Sequence, residues 1–296
     1  MIPPLPPARG PGQDGGRASV QPRYEDIAQD GRFQLTALMP GLGGAVWGAL
    51  LSELPALGAF RAQGILPILR RLVIVADDRP ASFAVPVDYD GAFRFAREKG
   101  GERLFVNMWA EARAPLGWTL GPPLPADAPR EPLARIFAEH VVTRPFAASP
   151  ADRKVTRLDV PGFSPIPEDE HAFETAEALV ESAGGPLEDA GHFAFGMMHT
   201  DPNQHVNSLV YPRVFEEMAV ARLMQDARFV HADKLLGRML DVRFRRPFFA
   251  GGRARVSMGL FEPSADERAG GYKAAAVGAF SANGPKPSCT IKMLFR

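Results

Sequence analysis

The sequence predicts an α+β protein made of two similar modules, each an antiparallel sheet wrapped around a long central helix. Three observations carry this. The order of a helix followed by several strands occurs twice along the chain. Segments near the C-terminus alternate apolar and polar residues, as strands with one buried face do. A length of 296 residues is enough for two cores of ordinary size.

Taken in order, residues 1–19 are rich in Pro and Gly and contain no apolar stretch of signal-peptide length. Residues 1–22 are therefore expected to form a disordered tail. The first module spans 23–147. Its helix is expected over 41–60, with Val46, Trp47, Leu50, Leu51, Leu54 and Leu57 inside; it is apolar nearly all round, which predicts burial. Strands are expected over 69–76, 81–87, 92–97, 103–112 and 135–142. From 148 to 189 the composition shifts to Pro, Asp and Glu, which reads as a linker with one short amphipathic helix within 168–182. The second module, 190–296, repeats the order: a strand over 193–198, a helix over 207–227, then strands over 238–246, 254–261, 272–281 and 288–295. Leu240, Val242, Phe244, Ala254 and Val256 fall on one face, while Arg243, Arg245, Arg253 and Arg255 fall on the other.

Composition narrows the function classes. The formal net charge is zero, so nothing pulls the chain as a whole toward nucleic acid or an anionic membrane. The single Cys289 leaves no partner for an internal disulfide and no cysteine metal cluster, and it reads as a small packed residue suited to a reducing compartment. No apolar run approaches the ~20 residues of a membrane helix. A cytoplasmic location is expected. The six histidines, His140, His171, His192, His199, His205 and His231, show no metal-ligand spacing, so no metal is expected. Gly41-Leu42-Gly43-Gly44 lacks the Lys and Ser/Thr of a phosphate loop, and no Gly-x-Ser-x-Gly elbow occurs.

The densest chemistry lies in Asp201-Pro202-Asn203-Gln204-His205-Val206-Asn207, which places a carboxylate, three amides and an imidazole in seven residues. Tyr211, Val214, Phe215, Met218, Ala221 and Arg222 follow at helical spacing. The polar cluster thus sits where a helix begins. A helix N-terminus offers unpaired N–H groups and a positive dipole end, both suited to an oxygen gaining negative charge. Asp201 beside it can activate a nucleophile, and equally suits a turn cap. Asn207 suits the helix cap, and Pro212 fits the first turn, where a missing donor costs least.

The Asp-Pro and Asn-Gln-His-Val-Asn spacing, with Tyr211 four residues on and Phe215-Glu216-Glu217 along the helix, resembles the hotdog-fold thioesterases. The 4-hydroxybenzoyl-CoA thioesterases and the plant-type acyl-carrier-protein thioesterases are the comparisons. Leu240-Asp241-Val242-Arg243-Phe244-Arg245-Arg246-Pro247, followed by Gly251-Gly252, is similar to the strand, Pro and Gly turn after the central helix of that family. Together these segments cover about the last third of the chain.

The resemblance implies a double hotdog and an enzyme of fatty acid metabolism that hydrolyses an acyl-CoA or acyl-carrier-protein thioester to a free acid. Asp201 would be base or nucleophile, with Asn203 and His205 orienting it. Val206, Asn207 and Ser208 would supply the oxyanion site, and Tyr211, Arg245 and Arg246 would meet the substrate. Glu216 or Glu217 is a reserve base. No cofactor is implied beyond the coenzyme A or phosphopantetheine of the substrate itself. The first module departs from the pattern: Leu38-Met39-Pro40-Gly41-Leu42-Gly43-Gly44 holds no acid, amide or imidazole, which implies one live site and one degenerate module. Arg245-Arg246-Pro247-Phe248-Phe249-Ala250 lacks the polar or thiol residue of the plant-type enzymes. An acyl-thioester dehydratase or hydratase on the same fold, and a silent acyl-thioester-binding module, stay open beside the hydrolase. A homodimer fits the pattern, which fixes no oligomer.

Overall fold

The structure is a computed structural model. It describes residues 2–4, 15–53, 60, 62–118, 120–122, 124–125, 127–158, 166–169, 176–181, 185–229, 231–282, 284 and 286–296. By internal packing the chain divides into two compact units. Unit 1 comprises Met1–Phe33, Ala37–Leu72 and Arg79–Phe173; unit 2 comprises Gln34–Thr36, Val73–Asp78 and Glu174–Arg296.

In unit 1 the strands are β1 (Arg17–Val20), β2 (Leu66–Ala76, whose end belongs to unit 2), β3 (Val87–Glu98), β4 (Leu104–Ala114), β5 (Glu131–Thr143) and β6 (Glu168–Asp169). Their order is β1-β3-β4-β5-β2, with β6 parallel to β3. The helix α1, residues 40–53, is built of Pro40–Leu42, a wide π turn at Gly43–Trp47, and Gly48–Glu53. It packs on the sheet through Ala45, Val46 and Leu50, while Gly43, Gly44 and Gly48 are exposed. The helix is therefore amphipathic, not apolar all round as expected, because its glycines form the open side. Leu54 and Leu57, and the side chain of Leu51, lie outside what is described. The close approach is set at Gly91 of β3, where a Cβ would stand 2.7 Å from Val46 Cγ2 and 2.9 Å from Ala45 Cβ. Only a residue without a side chain lets helix and strand meet so closely.

The same face holds His140, in register with Val106 of β4. Trp47 meets its ring edge-on at 5.2 Å. Burial pushes the His140 pKa down to about 4 against a backbone hydrogen bond to Val106, so the ring is neutral at pH 7.

Three expectations for unit 1 are corrected. Residues 17–20, read as tail, pair with β3, helped by Arg17–Asp90 and Ser19–Asp88 contacts. The strand expected over 81–87 reduces to one bridge between Ala81 and Leu116, since Pro80 and Pro86 bracket it without N–H donors. β5 starts earlier than expected and tolerates Pro132, because the ladder with β4 shifts register there, between Ala112 and Arg113.

Unit 2 contains α2 (Ala176–Glu181), β7 (Glu188–Ala194), α3 (Val210–Leu223), β8 (Gly237–Phe244), β9 (Arg253–Phe261), α4 (Ala265–Ala269), β10 (Ala274–Ser281) and β11 (Cys289–Phe295). The sheet order is β8-β11-β10-β9-β7, every pairing antiparallel. The helix α3 buries Tyr211, Val214, Phe215, Ala219 and Leu223, spaced to form one stripe. They meet the sheet face that carries Leu240, Val242, Val256, Met258, Ile291 and Met293. At Gly278 of β10 a Cβ would stand 2.5 Å from Phe215 Cε2, so this glycine receives the helix much as Gly91 does in unit 1. Cys289 is buried in this core, which pushes its thiol pKa well up.

Several boundaries differ from expectation. The strand placed at 193–198 is β7, ending at Ala194; a single tight turn, Met197–His199, follows. Met197 and Met198 are 76% and 95% exposed, so their apolar character mimicked a strand that is not there. The short linker helix is α2, and α3 begins at Val210 instead of 207. α4 was missed although Ser264-x-x-Glu267 is a capping box, with the Glu267 N–H donating to Ser264 Oγ and the Ser264 N–H to Glu267 Oε2. Arg243, read as pointing to solvent, is 4% exposed and pairs with the equally buried Asp241 at 3.5 Å. Among the described residues no helix is long and apolar enough to cross a membrane.

Candidate active site

The Asp201 cluster forms a compact turn between β7 and α3. Asp201 N–H donates to His205 O at 3.0 Å, and Gln204 N–H donates back to Asp201 O at 2.8 Å. Gln204, with φ 65°, takes the left-handed tip, a conformation an L residue adopts at some cost. Asp201 Oδ1 accepts the Asn203 N–H at 2.9 Å, the short loop that an aspartate makes with the residue two along. This fixes one carboxylate oxygen. Oδ2 has no partner among the described residues, and the side chain is partly exposed. Asn203 is exposed and His205 half-buried.

The turn is sewn to the segment after β8. Val206 N–H donates to Phe248 O at 2.8 Å, and His205 pairs with Phe249, whose ring stands edge-on to the imidazole at 5.3 Å. Phe248 N–H in turn donates to Tyr211 Oη at 3.1 Å. Tyr211 is buried among Phe195, Phe244, Phe248 and Phe280. Burial raises its phenol pKa, partly offset by the Phe248 hydrogen bond, so the hydroxyl is kept protonated. Read as a substrate contact, Tyr211 is instead enclosed in the core, where it ties the first turn of α3 to the loop behind the aspartate.

The oxyanion expectation narrows. Val206 N–H is committed to Phe248 O, and Asn207 N–H to His199 O at 2.8 Å. Of the three residues expected to polarise an oxygen, Ser208 alone keeps an N–H with no partner among the described residues. Asn207 does not cap α3 in the expected position, because the helix starts three residues later. Its Oδ1 accepts the Leu209 N–H at 2.9 Å and its carbonyl accepts the Val210 N–H, forming the bend into the helix. Glu216 Oε1 accepts the Gly237 N–H at 2.8 Å, which makes it a tie between α3 and β8. Glu217 is exposed. Arg245 approaches Glu177 of α2 at 3.9 Å, and Arg246 is exposed. His199 packs against Phe193 and Phe195 while its Nδ1 accepts the Gly196 N–H.

Phe248 and Phe249 were missed as site residues. Two aromatics directly after Arg-Arg-Pro, beyond the end of a strand, are the signal that could have found them.

The fold is a hotdog fold, shared with several thioesterases of known structure. In particular, the chain is similar to the 12:0-ACP thioesterase from Umbellularia californica, with TM-score 0.59 and 15% identity over 95% of this chain and 97% of that one. It is similar to an acyl-ACP thioesterase from Bacteroides thetaiotaomicron, with TM-score 0.58 and 14% identity over 95% and 98%. A candidate oleoyl thioesterase from Lactobacillus plantarum aligns at TM-score 0.61 and 15% identity, over 98% and 97%. No protein-family model and no curated protein matches the sequence, so the likeness is one of fold.

Proposed function

We propose that the chain is a double hotdog that hydrolyses an acyl thioester, presented on coenzyme A or an acyl carrier protein, to a free carboxylic acid. The observation that carries this reading is the pinned Asp201 carboxylate, with one oxygen held by the Asn203 N–H and the other without a partner among the described residues. It stands on the turn that also holds Asn203 and His205 and leads into Ser208, whose N–H has no partner among the described residues. Such a carboxylate can take a proton from water as the water oxygen attacks the thioester carbonyl. Ser208 N–H, with Asn203 or His205, would hold the oxygen that gains charge. The carbon–sulfur bond then breaks and the thiolate leaves; its conjugate acid has a pKa near ~8.5, so little acid assistance is needed. Direct attack by Asp201, giving a transient anhydride that water opens, uses the same residues. Unit 1, which has no acid, amide or imidazole where its helix begins, would serve as scaffold.

The test is thiol release from a panel of short, long and aromatic acyl-CoAs and acyl carrier proteins. Asp201→Asn is expected to lower kcat by about a hundredfold or more. Equal rates for the two proteins would remove Asp201 from its role, and hydration of an enoyl thioester without thiol release would replace hydrolysis with a different reaction.

A further inference from the structure

We propose that the outer face of the unit 2 sheet carries a cleft for the phosphate-bearing nucleotide end of a coenzyme A thioester, built on Arg253, Arg255 and Phe249. The choice of ligand rests on the thioesterase reading; the cleft does not.

Residues 242–261 contain five arginines and no acid, in a chain whose net charge is zero. The structure sorts them. Arg243 is buried against Asp241, and Arg245 leans toward Glu177. Arg253 is exposed and has no ion-pair or hydrogen-bond partner among the described residues. Arg255 is held through Nε by Asp189 Oδ2 at 3.1 Å. The Asp189 pKa is lowered first by the Gly191 N–H and then by Arg255, so the carboxylate stays ionised and keeps aiming that guanidinium. Strand alternation puts Arg253, Arg255 and Ser257 of β9 on the face opposite the core, and the register sets His192 of β7 beside Arg255.

These groups line an open cleft of about 1240 Å³ with Ser281 at the end of β10 and Phe249. A planar guanidinium matches two phosphate oxygens at once. Phe249, 53% exposed, offers a ring face on which a base can stack. The same ring contacts His205, which links the cleft to the Asp201 turn. A concave cleft with an exposed aromatic at its rim fits a nucleotide better than the convex acidic surface of a carrier protein, which needs no stacking face.

The experiment has two arms. Calorimetric titration of the whole protein with adenosine 3′,5′-bisphosphate reads the cleft without any turnover. Binding is expected, weakened about tenfold by Arg253→Ala and partly restored by Arg253→Lys. KM is then compared for one acyl group on coenzyme A and on pantetheine, which lacks the nucleotide. The advantage of the coenzyme A substrate is expected to fall toward unity in Arg253→Ala. Absence of bisphosphate binding, equal binding by Arg253→Ala, or an unchanged KM ratio overturns the proposal. So does an Arg253→Ala effect confined to acyl carrier protein substrates, which makes the face a protein-docking surface. If no thioester is hydrolysed but the bisphosphate binds through Arg253, the thioesterase reading fails and the cleft stands.

Discussion

Tyr211 shows how one hydroxyl can govern a site it does not face. Its oxygen accepts the Phe248 N–H, and Phe248 O accepts the Val206 N–H, so the phenol, the loop and the turn bearing Asp201 form one chain of hydrogen bonds. Tyr211→Phe keeps the ring contacts and orphans a buried donor, which costs on the order of 1–3 kcal/mol. Urea titration should show the unfolding free energy fall by that amount, and thiol release should fall with it as the turn loosens. Little of this was legible beforehand. The polar cluster itself is plain in the sequence, because a carboxylate, amides and an imidazole crowd before a periodic apolar run. Which N–H groups are free depends on contacts from residues 199 and 248, and the polar cluster carries no mark of either. Val206 and Asn207 were therefore read as donors to substrate when the fold already uses them.

At the scale of elements, the helix-to-sheet contacts are set by glycines placed where the helix crosses a strand. Adding a methyl at Gly278 would bring Cβ to 2.4 Å from Ser257 O and 2.5 Å from Phe215 Cε2. Gly278→Ala is expected to destabilise unit 2 by roughly 1–3 kcal/mol through overpacking, measured by chemical denaturation. Periodicity located β8, β9, β10 and β11 to within a few residues: β9 alternates over Arg253–Ser257, while β10 and β11 read as short apolar runs and are buried along nearly their whole length. It misplaced β7, since Met197 and Met198 are apolar yet face solvent, and it began β3 at 92 where the strand starts at Val87. The helix α1 was legible as a helix. Its π turn, Gly43–Trp47, was not, because a single wide turn leaves no periodic mark in the residues.

For the molecule as a whole, His140 predicts how stability responds to acid. The ring is neutral in the folded state with a pKa near 4, against 6.5 for an unperturbed histidine. Below pH 6.5 the unfolded chain takes up a proton that the folded one refuses, so the His140 contribution is complete above that pH. It is lost as pH falls toward 4, at up to about 1.4 kcal/mol per pH unit. Denaturation midpoints measured between pH 7 and pH 4 should fall more steeply for the native protein than for His140→Phe; parallel curves would refute the assignment. The pairing of residues 17–20 with β3 was hidden by the Pro- and Gly-rich composition around them. The turn at 201–207 closes on itself through short-range bonds, and its tip, Pro202, Asn203 and Gln204, is exposed. Variation at Pro202, Asn203 or Gln204 can therefore retune reactivity without disturbing the framework beneath, which makes this loop a natural place for selection, or an engineer, to alter what the scaffold does.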